Sequence, residues 1–326
     1  VYMDATKGWI PINDGAVAYE TPQTYDAHYL IVAGGGGGGY RAEPCGGGGA
    51  GGLLFRDNFT IATGTYECAI GRGGYHPMQK GVGSAGDNHG WSHSGENGND
   101  TCLIEFNTAS ASIDVRAIGG GGGGGSDNKG GALEGGCGGG AGSRNTTSGF
   151  NSGQNSIQGS FTNWTHRGNS GGNTRNGNYG GAGGGGAGAS GGNESGSENY
   201  GTGGDGGIGY DYSSFFGTLV GDRGWFAGGG GGGTYRKSDV PAYGTNMDDY
   251  LGVGGKGGGG NGIFSEEHSD GNTWRHQKMD GMRGTGGGGG GSGEDACDQQ
   301  NGGSNARRGC KVGTGGSGVI IIRYAQ

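Results

Sequence analysis

The stretch that decides the fold is His28-Tyr29-Leu30-Ile31-Val32-Ala33, which runs without a break into the six glycines Gly34–Gly39. The six residues before the glycines are mostly apolar and include β-branched side chains, as is typical of a strand. An apolar lead-in enters several of the later glycine runs, and a flexible linker has no need of one. The other runs are Gly46–Gly49, Gly119–Gly125, Gly138–Gly140, Gly183–Gly186, Gly228–Gly233, Gly257–Gly260 and Gly286–Gly291.

The glycine runs are predicted to form extended threefold helices of the polyproline II type. Such a helix has three residues per turn, rises about 3.1 Å per residue and makes no internal hydrogen bonds. Its N–H and C=O groups must therefore bond to neighbouring helices, and only glycine allows backbones to approach so closely. A disordered linker is the alternative. Collagen is excluded because the chain has five prolines and no strict Gly-X-Y period.

The composition supports a fold held by its backbone. Glycine accounts for 97 of the 326 residues, and apolar side chains make up 29% of the chain. A conventional core needs more Leu, Ile and Val, so backbone hydrogen bonds must replace much side-chain packing. The net charge of −8 argues against a nucleic-acid partner. No apolar stretch approaches the roughly 20 residues of a membrane span, so membrane insertion is not expected.

The chain is predicted to divide into two parts. Residues 1–26 form an N-terminal connector or subunit-linking segment, and residues 27–326 form the glycine-rich domain. Within that domain, a β scaffold occupies 27–118 and 318–324, and polyglycine helices with long loops occupy 119–317. The fold class is thus mostly β and irregular, a small β scaffold plus a stacked bundle of polyglycine II helices, with almost no α-helix.

The predicted strands lie mainly in the first third of the chain. The last one has the strongest pattern and is expected to pair with the first, so that the chain closes on itself. The strands are His28–Ala33, Leu53–Phe55, Thr65–Ile70, Thr101–Phe106, Ser112–Ile118 and Val319–Tyr324.

Six cysteines without a CxxC pair predict disulfides rather than a metal site. Cross-links would restrict the very flexible unfolded state of a glycine-rich chain. No free thiol is expected, although the sequence leaves many connectivities open. The preferred pairs are Cys68–Cys102, Cys297–Cys310 and Cys45–Cys137.

No pattern in the sequence predicts catalysis or a cofactor. Gly-x-Gly-x-x-Gly matches carry no information in this composition, and the strand-helix context of a nucleotide site is missing. Glu266–Asp270 has oxygen ligands for a divalent cation, and Asp87–His93 holds two histidines beside Trp91. Ordinary solvated loops are the preferred interpretation of both, so no metal is predicted and an enzyme is not expected.

The loops hold aromatic side chains amid Asn, Asp and Arg, a composition suited to stacking on sugar rings. Roughly half of these rings are expected to cover the glycine bundle instead. Trp164 and Trp274 are the first choices for exposed rings because each lies far from any glycine run. The candidates for binding a glycan or receptor are Trp91, Trp164, Tyr212, Phe215, Phe216, Tyr243, Tyr250 and Trp274.

Five Asn-x-Ser/Thr sequons are candidate glycosylation sites if the producer is eukaryotic or infects a eukaryote. In a chain this rich in Asn, Ser and Thr, a few would arise by chance. They lie at Asn58, Asn99, Asn145, Asn163 and Asn193.

The order of these features resembles the glycine-rich domains of environmental phage and other viral tail-fibre proteins. The likeness covers about residues 27–326 and rests on motifs that are weak singly. Some adhesins at fibre tips are similar, with sandwiches of polyglycine helices whose distal loops bind the host receptor. The motifs are His28–Gly39, Gly46–Leu54, Thr63–Tyr66 with Ile70–Gly74, and Gly315–Tyr324.

The resemblance implies a non-enzymatic extracellular fibre protein, an adhesin on a virion surface. Its partners would be a host cell-surface glycan or protein receptor, and further copies or an upstream shaft joined through residues 1–26. The alternative is a structural, repeating subunit of a secreted filament that is glycosylated at the sequons. Exposed aromatics clustered at one end favour the adhesin. Glycans on the sequons and subunit contacts through the N-terminal segment favour the filament.

Overall fold

A computed structural model shows a fold dominated by strands and irregular backbone, with one helix of four residues. This confirms the predicted fold class. The structure describes residues 2–4, 8–9, 25–40, 44–61, 65–75, 94–106, 113–126, 131–143, 152–175, 179–197, 200–236, 250–263, 278–293, 298–299, 307–308 and 312–324.

The strands, in chain order, belong to six small sheets. Their bounds are β1 Tyr2–Asp4, β2 Gly8–Trp9, β3 Tyr25–Val32, β4 Leu53–Ile61, β5 Thr65–Ala69, β6 Thr101–Phe106, β7 Asp114–Ala117, β8 Thr165–Arg167, β9 Ser195–Ser197, β10 Tyr200–Thr202, β11 Tyr210–Asp211, β12 Trp225–Phe226, β13 Tyr235–Arg236, β14 Asp298–Gln299, β15 Arg307–Arg308 and β16 Val319–Tyr324, and the helix is α1 Ser213–Phe216.

The largest sheet has four antiparallel strands in the order β16-β3-β4-β8. Val319 lies opposite Val32 and Tyr324 opposite Ala27, so the last strand pairs with β3 as predicted. The bounds predicted for β6 and β16 are confirmed, but β4 extends to Ile61 rather than ending at Phe55. Polar residues break the alternation there, while pairing with β3 continues to Tyr25.

Apolar side chains cover both faces of this sheet. On one face, Tyr29 and Leu54 pack against Leu103 and Val115 of the three-stranded sheet β5-β6-β7. On the other face, a second cluster forms around Phe55, Leu30, Val32, Tyr212 and Phe226, the last two coming from the segment 210–226. The conventional side-chain core of the protein is therefore concentrated around one small sheet.

The glycine run after β3, here the first central segment (residues 33–39), is a threefold helix. Every third N–H group donates to the same neighbour at 2.8–3.0 Å, the periodicity of a helix with three residues per turn. Ala33, Gly36 and Gly39 donate to Gly52, Gly49 and Gly46; Gly34 and Gly37 to Asn99 and Glu96; Gly35 and Gly38 to Gly316 and Gly313.

The carbonyl groups of the first central segment bond to three further neighbours. The segment is therefore surrounded by six others, and its polar backbone is satisfied without side chains. Gly34 and Gly37 accept from Gly120 and Gly123, Gly36 and Gly39 from Gly289 and Ser292, and Gly35 from Gly74.

Further segments are surrounded in the same way, among them residues 45–52 and 227–234, here called the second and third central segments. They are joined directly, because Gly230 donates to the carbonyl of Gly48 and Gly233 donates to that of Cys45, both at 2.9 Å. The predicted stack of polyglycine helices is thus a two-dimensional array that extends through adjacent fully surrounded segments.

Carboxylates and amides complete the hydrogen bonding at the edge of the array. The N–H groups of Gly119 and Gly122 donate to Asp100 Oδ1 and Asn97 Oδ1 at 2.8 and 2.9 Å. The N–H of Thr314 donates to Asp280 Oδ1 at 2.8 Å. A side-chain oxygen here replaces the carbonyl of a missing neighbour, because an unpaired backbone donor is costly to bury.

The interior glycines have no room for a side chain. A Cβ atom on Gly36, Gly122 or Gly230 would overlap the carbonyl oxygen of Gly121, Gly95 or Gly289, respectively. The carbonyls of Gly121 and Gly289 accept from Gly49 and Gly48, and Gly95 is held by its N–H bond to Gly123, so none of these backbone atoms can move aside singly.

We therefore predict that Gly122→Val lowers the free energy of unfolding by about 4 kcal/mol or more, the range of severe core changes. The matched control is Gly159→Val, since a Cβ on the exposed Gly159 meets no atom within 4 Å. The control should stay within about 0.5 kcal/mol of the wild type, as surface changes do. Denaturant unfolding measures both variants, and equal stability would contradict the packed array.

Candidate functional site

The glycine bundle has two different ends. At the scaffold end, Ala33, Gly52 and Gly318 adjoin β3, β4 and β16 directly. At the opposite, distal end, Gly39 donates to Gly46 at 2.9 Å and Ser292 donates to Gly39 at 3.1 Å. These bonds bring the far ends of the segments to one level.

The long connections leave the bundle at the distal end. Cys45 accepts from Gly233, and Gly46 donates to Gly124, so the ends of these segments share the level of Gly39. Hydrogen bonds between neighbouring segments show in the same way which residues of the other segments lie level with Gly39. The connections whose flanking residues lie at the distal end are 41–43, 76–93, 127–130, 144–151, 176–178, 198–199, 237–249, 264–277 and 294–311.

Most turns at the scaffold end are short or folded onto the sheet. The turn 256–258 brings Lys256 Nζ to 4.0 Å from the centre of the Trp225 ring. In the turn 283–286, the Thr285 hydroxyl donates to the carbonyl of Met282 at 2.6 Å. The longest excursion, 210–226, packs on the four-stranded sheet. The two ends therefore differ in the length of chain available for recognition.

Trp164 does not lie at the distal end, and the prediction that it presents an exposed ring is wrong. Its side chain is 7% exposed and belongs to the core between the two main sheets. The ring centre lies 6.0 Å from that of Tyr29, edge to face. Its distance from the glycine runs reflects a position on the β scaffold.

Tyr212, Phe215 and Phe216 also lie at the scaffold end. The rings of Tyr212 and Phe215 are each 4.7 Å from that of Phe55 on β4. Tyr212 is 2% exposed, its hydroxyl accepts from Arg167 Nε at 3.3 Å, and burial raises its pKa. All three rings cover the sheet rather than the glycine bundle. Tyr212 is therefore corrected from a candidate binding residue to a core residue, and the half-buried Phe215 and Phe216 pack against the same cluster.

Tyr250 is the binding candidate that the described chain retains at the distal end. It is half-buried, and its carbonyl accepts from Gly203 N–H at 3.0 Å. Trp91, Tyr243 and Trp274 lie outside the described residues. The segments that contain them, 76–93, 237–249 and 264–277, are flanked by residues at the distal end.

Comparison with known families decides the classification. A glycine-rich domain family matches residues 12–325. The chain belongs to this family. The match spans the scaffold strands, all three central segments and the distal connections of the glycine-rich domain. No curated protein matches the chain.

Two of the disulfides predicted for the glycine-rich domain are absent. Cys68 lies opposite Leu103, and Cys102 lies opposite Ala69. Because neighbouring residues of a strand point to opposite faces, the two thiols lie on different faces of the sheet. No disulfide joins them, and the predicted pair is wrong.

The pair Cys45–Cys137 is also wrong. Cys137 donates its N–H to Ala50, five residues beyond Cys45 along the second central segment, or about 15 Å at the rise of a threefold helix. A disulfide requires Cα atoms within about 7 Å. The Cys137 thiol instead contacts the Gly51 carbonyl at 3.9 Å, and complete burial raises its pKa to about 12. Cys297 and Cys310 lie outside the described residues.

The candidate glycosylation sites and metal-binding loops lie partly within and partly outside the described residues. Asn58, Asn99, Asn163 and Asn193 are exposed, and Asn145 lies outside the described residues. The two loops weighed as metal sites, Asp87–His93 and Glu266–Asp270, lie outside them too. Among the described residues, no three His, Cys, Asp or Glu side chains group as metal ligands would, and no helix has the length and apolar character to cross a bilayer.

We predict that Trp164→Ala lowers the free energy of unfolding by about 3–5 kcal/mol, the usual cost of removing a buried Trp. The control is Leu219→Ala in the scaffold-end segment, since Leu219 is fully exposed. Thermal or denaturant melts compare the two variants. A Trp164→Ala melt that matches the wild type would contradict the buried position of this ring.

Native-state alkylation should separate the cysteines. The exposed Cys68 should react with iodoacetamide in the folded protein, whereas Cys137 should react only after denaturation, because a buried thiol with a raised pKa forms little thiolate. Mass spectrometry of the peptides before and after denaturation measures both. If Cys68 became reactive only after reduction, it would be part of a disulfide.

Proposed function

We propose that this protein is a non-enzymatic extracellular fibre protein of the viral tail-fibre type, an adhesin whose distal connections bind a host surface glycan or receptor. The observation that supports this proposal is topological. The described residues that flank the long connections lie at the distal end, while the scaffold end is closed by short turns and a packed aromatic cluster. A surface of many loops at one end is suited to contact with another surface.

The array gives such loops fixed anchor points. In the three central segments, each residue is held by hydrogen bonds to neighbours on several sides. Because loop specificity depends on a rigid scaffold beneath it, an array of this kind allows loop sequences to vary without disturbing the fold. The interior offers no side chains to a ligand, so recognition must be supplied from the connections.

Tyr250, at the distal end of the described chain, would stack on sugar rings. Trp91, Tyr243 and Trp274 would do the same, because the sequence places each of them in a connection flanked by distal residues. Apolar ring faces stack on sugars, and neighbouring Asn, Asp and Arg bond the hydroxyl groups. Trp164 and Tyr212 are excluded from this role because they are buried in the clusters around the sheet, and the half-buried Phe215 and Phe216 lie at the scaffold end.

One observation favours the second function, a subunit of an extracellular filament. Strands β1 and β2 pair with each other, Tyr2 opposite Trp9, and form a sheet separate from the scaffold. A separate hairpin ahead of the domain is suited to joining a further copy or an upstream shaft, as expected for residues 1–26. The filament function would thus depend on residues 1–26, whereas the adhesin function would depend on the distal end.

The test compares single alanine variants at the two ends. Tyr250→Ala, Tyr243→Ala and Trp274→Ala should leave the melting temperature unchanged while weakening attachment to host cells or a glycan array. The loss should be about 1–3 kcal/mol per stacked ring, by analogy with base stacking on aromatics. Leu219→Ala at the scaffold end is the exposed control, and it should attach like the wild type.

A deletion of residues 1–26 separates the two functions. If all three distal variants attach fully, and removal of residues 1–26 abolishes assembly into fibres, the adhesin proposal fails and the filament proposal stands. If distal variants lose attachment while the shortened chain still attaches when immobilised, recognition belongs to the distal end.

A further inference from the structure

Two of the sequons share an unusual local structure. In Asn58-Phe59-Thr60 and Asn163-Trp164-Thr165, the asparagine has a positive φ, 45° and 65°. These two are the only asparagines in that conformation among the described residues. Asn163 lies in a turn closed by a hydrogen bond from Trp164 N–H to the Phe161 carbonyl at 3.0 Å. Asn58 lies within β4, where the register with β3 shifts between Arg56, opposite Tyr29, and Phe59, opposite Ala27.

The aromatic residue in the middle of each sequon packs against Tyr29 of β3. Phe59 and Trp164 both meet the Tyr29 ring edge to face, with centroid distances of 5.9 and 6.0 Å. The Arg56 guanidinium lies over both, 3.5 Å from the Phe59 centroid and 5.8 Å from the Trp164 centroid. Since these rings pack toward the core, the asparagine before each ring and the threonine after it remain exposed.

The two sequons lie at the same edge of the scaffold. Phe55 of β4 is opposite Thr165 of β8, and both asparagines lie just beyond this pair, Asn58 within β4 and Asn163 in the turn before β8. β8 has three residues and is the edge strand of the sheet, so beyond Phe55 strand β4 is paired with β3 on one side and has no β8 partner on the other. Exposed edges of this kind are open to pairing with other strands.

The sequons at Asn99 and Asn193 are built into the bundle instead. Thr101, the hydroxyl residue of the Asn99 sequon, is fully buried, and its Oγ1 accepts from Gly71 N–H at 2.9 Å. The Oδ1 atom of Asn193 accepts from Asn173 N–H at 2.8 Å. In each of these two sequons, one of the two defining groups is therefore bonded to the backbone of the bundle. The Thr60 hydroxyl of the Asn58 sequon also donates a hydrogen bond, to Asp26 Oδ1 at 2.6 Å, but that bond joins two exposed side chains.

We propose that Asn58 and Asn163 are acceptor sites for N-linked glycans, and that Asn99 and Asn193 are not. In the transfer, the asparagine amide nitrogen attacks the anomeric carbon of an oligosaccharide carried on a lipid pyrophosphate. The bond from that carbon to the pyrophosphate oxygen breaks, the lipid pyrophosphate leaves with the electron pair, and the amide loses one proton. The hydroxyl two residues later must be accessible for the enzyme to recognise the sequon, which Thr60 and Thr165 satisfy.

Glycans at these positions would cover the open β4–β8 edge at the scaffold end. They would hinder strand addition there and leave the distal end uncovered. The assignment does not depend on what the distal connections bind, because it rests on the geometry of the scaffold edge.

The experiment is glycopeptide mapping of the full chain secreted from a eukaryotic cell line. Enzymatic glycan release in heavy-oxygen water converts each occupied asparagine to a labelled aspartate, which mass spectrometry counts. Asn58 and Asn163 should be occupied in most molecules, and Asn99 and Asn193 at several-fold lower levels. Thr60→Ala and Thr165→Ala should each remove one glycan and leave the other, with melting confirming that both variants fold.

Three results would overturn the proposal: a secreted, folded chain with Asn58 and Asn163 unmodified, occupancy at only one of them, or equal occupancy at Asn99 and Asn193. The distal alanine variants serve as an independent control. They should carry both glycans whether or not they attach to cells, so failure of the adhesin function and failure of this assignment are measured separately.

Discussion

The structure depends on one interaction, the hydrogen bond between the backbones of adjacent threefold glycine helices. Each central segment donates to three neighbours and accepts from three others, so a complete set of backbone groups is satisfied with no side chain between them. A buried, unpaired peptide group costs as much free energy as a lost core contact. The same geometry that satisfies the backbone leaves no room for a Cβ at interior positions such as Gly36, Gly122 and Gly230, which is why glycine is required at them.

A lattice of this kind needs something to set its register, because glycine segments carry no side chains that distinguish one level from another. The four-stranded sheet supplies that reference: β3, β4 and β16 lead directly into or out of segments of the array, and the pairing of Val319 with Val32 aligns them. Tyr29, Phe55 and Trp164 give the sheet a conventional core. Aromatic packing therefore belongs to the scaffold, and the bundle is held by hydrogen bonds.

The two ends consequently have different chemistry. The scaffold end contains the apolar clusters and the exposed asparagines Asn58 and Asn163, and the residues that flank the long connections lie at the distal end. Edge segments of the bundle are completed by Asn97, Asp100 and Asp280, whose oxygens act as substitute carbonyls. Polar residues beside glycine runs therefore complete the hydrogen bonding of the bundle as well as offering groups that can bind a ligand.

From the sequence alone it was possible to determine the fold class, the threefold glycine helices and the closure of β16 on β3, because consecutive glycines and β-branched runs have few structural outcomes. The burial of Trp164 and Tyr212, the opposite faces of Cys68 and Cys102, and the separation of Cys45 from Cys137 were decided only by the tertiary structure. These properties depend on strand register and on the level at which distant segments meet. Local patterns do not encode that level, since every glycine run offers the same donors and acceptors at each residue, and only the complete array selects one alignment.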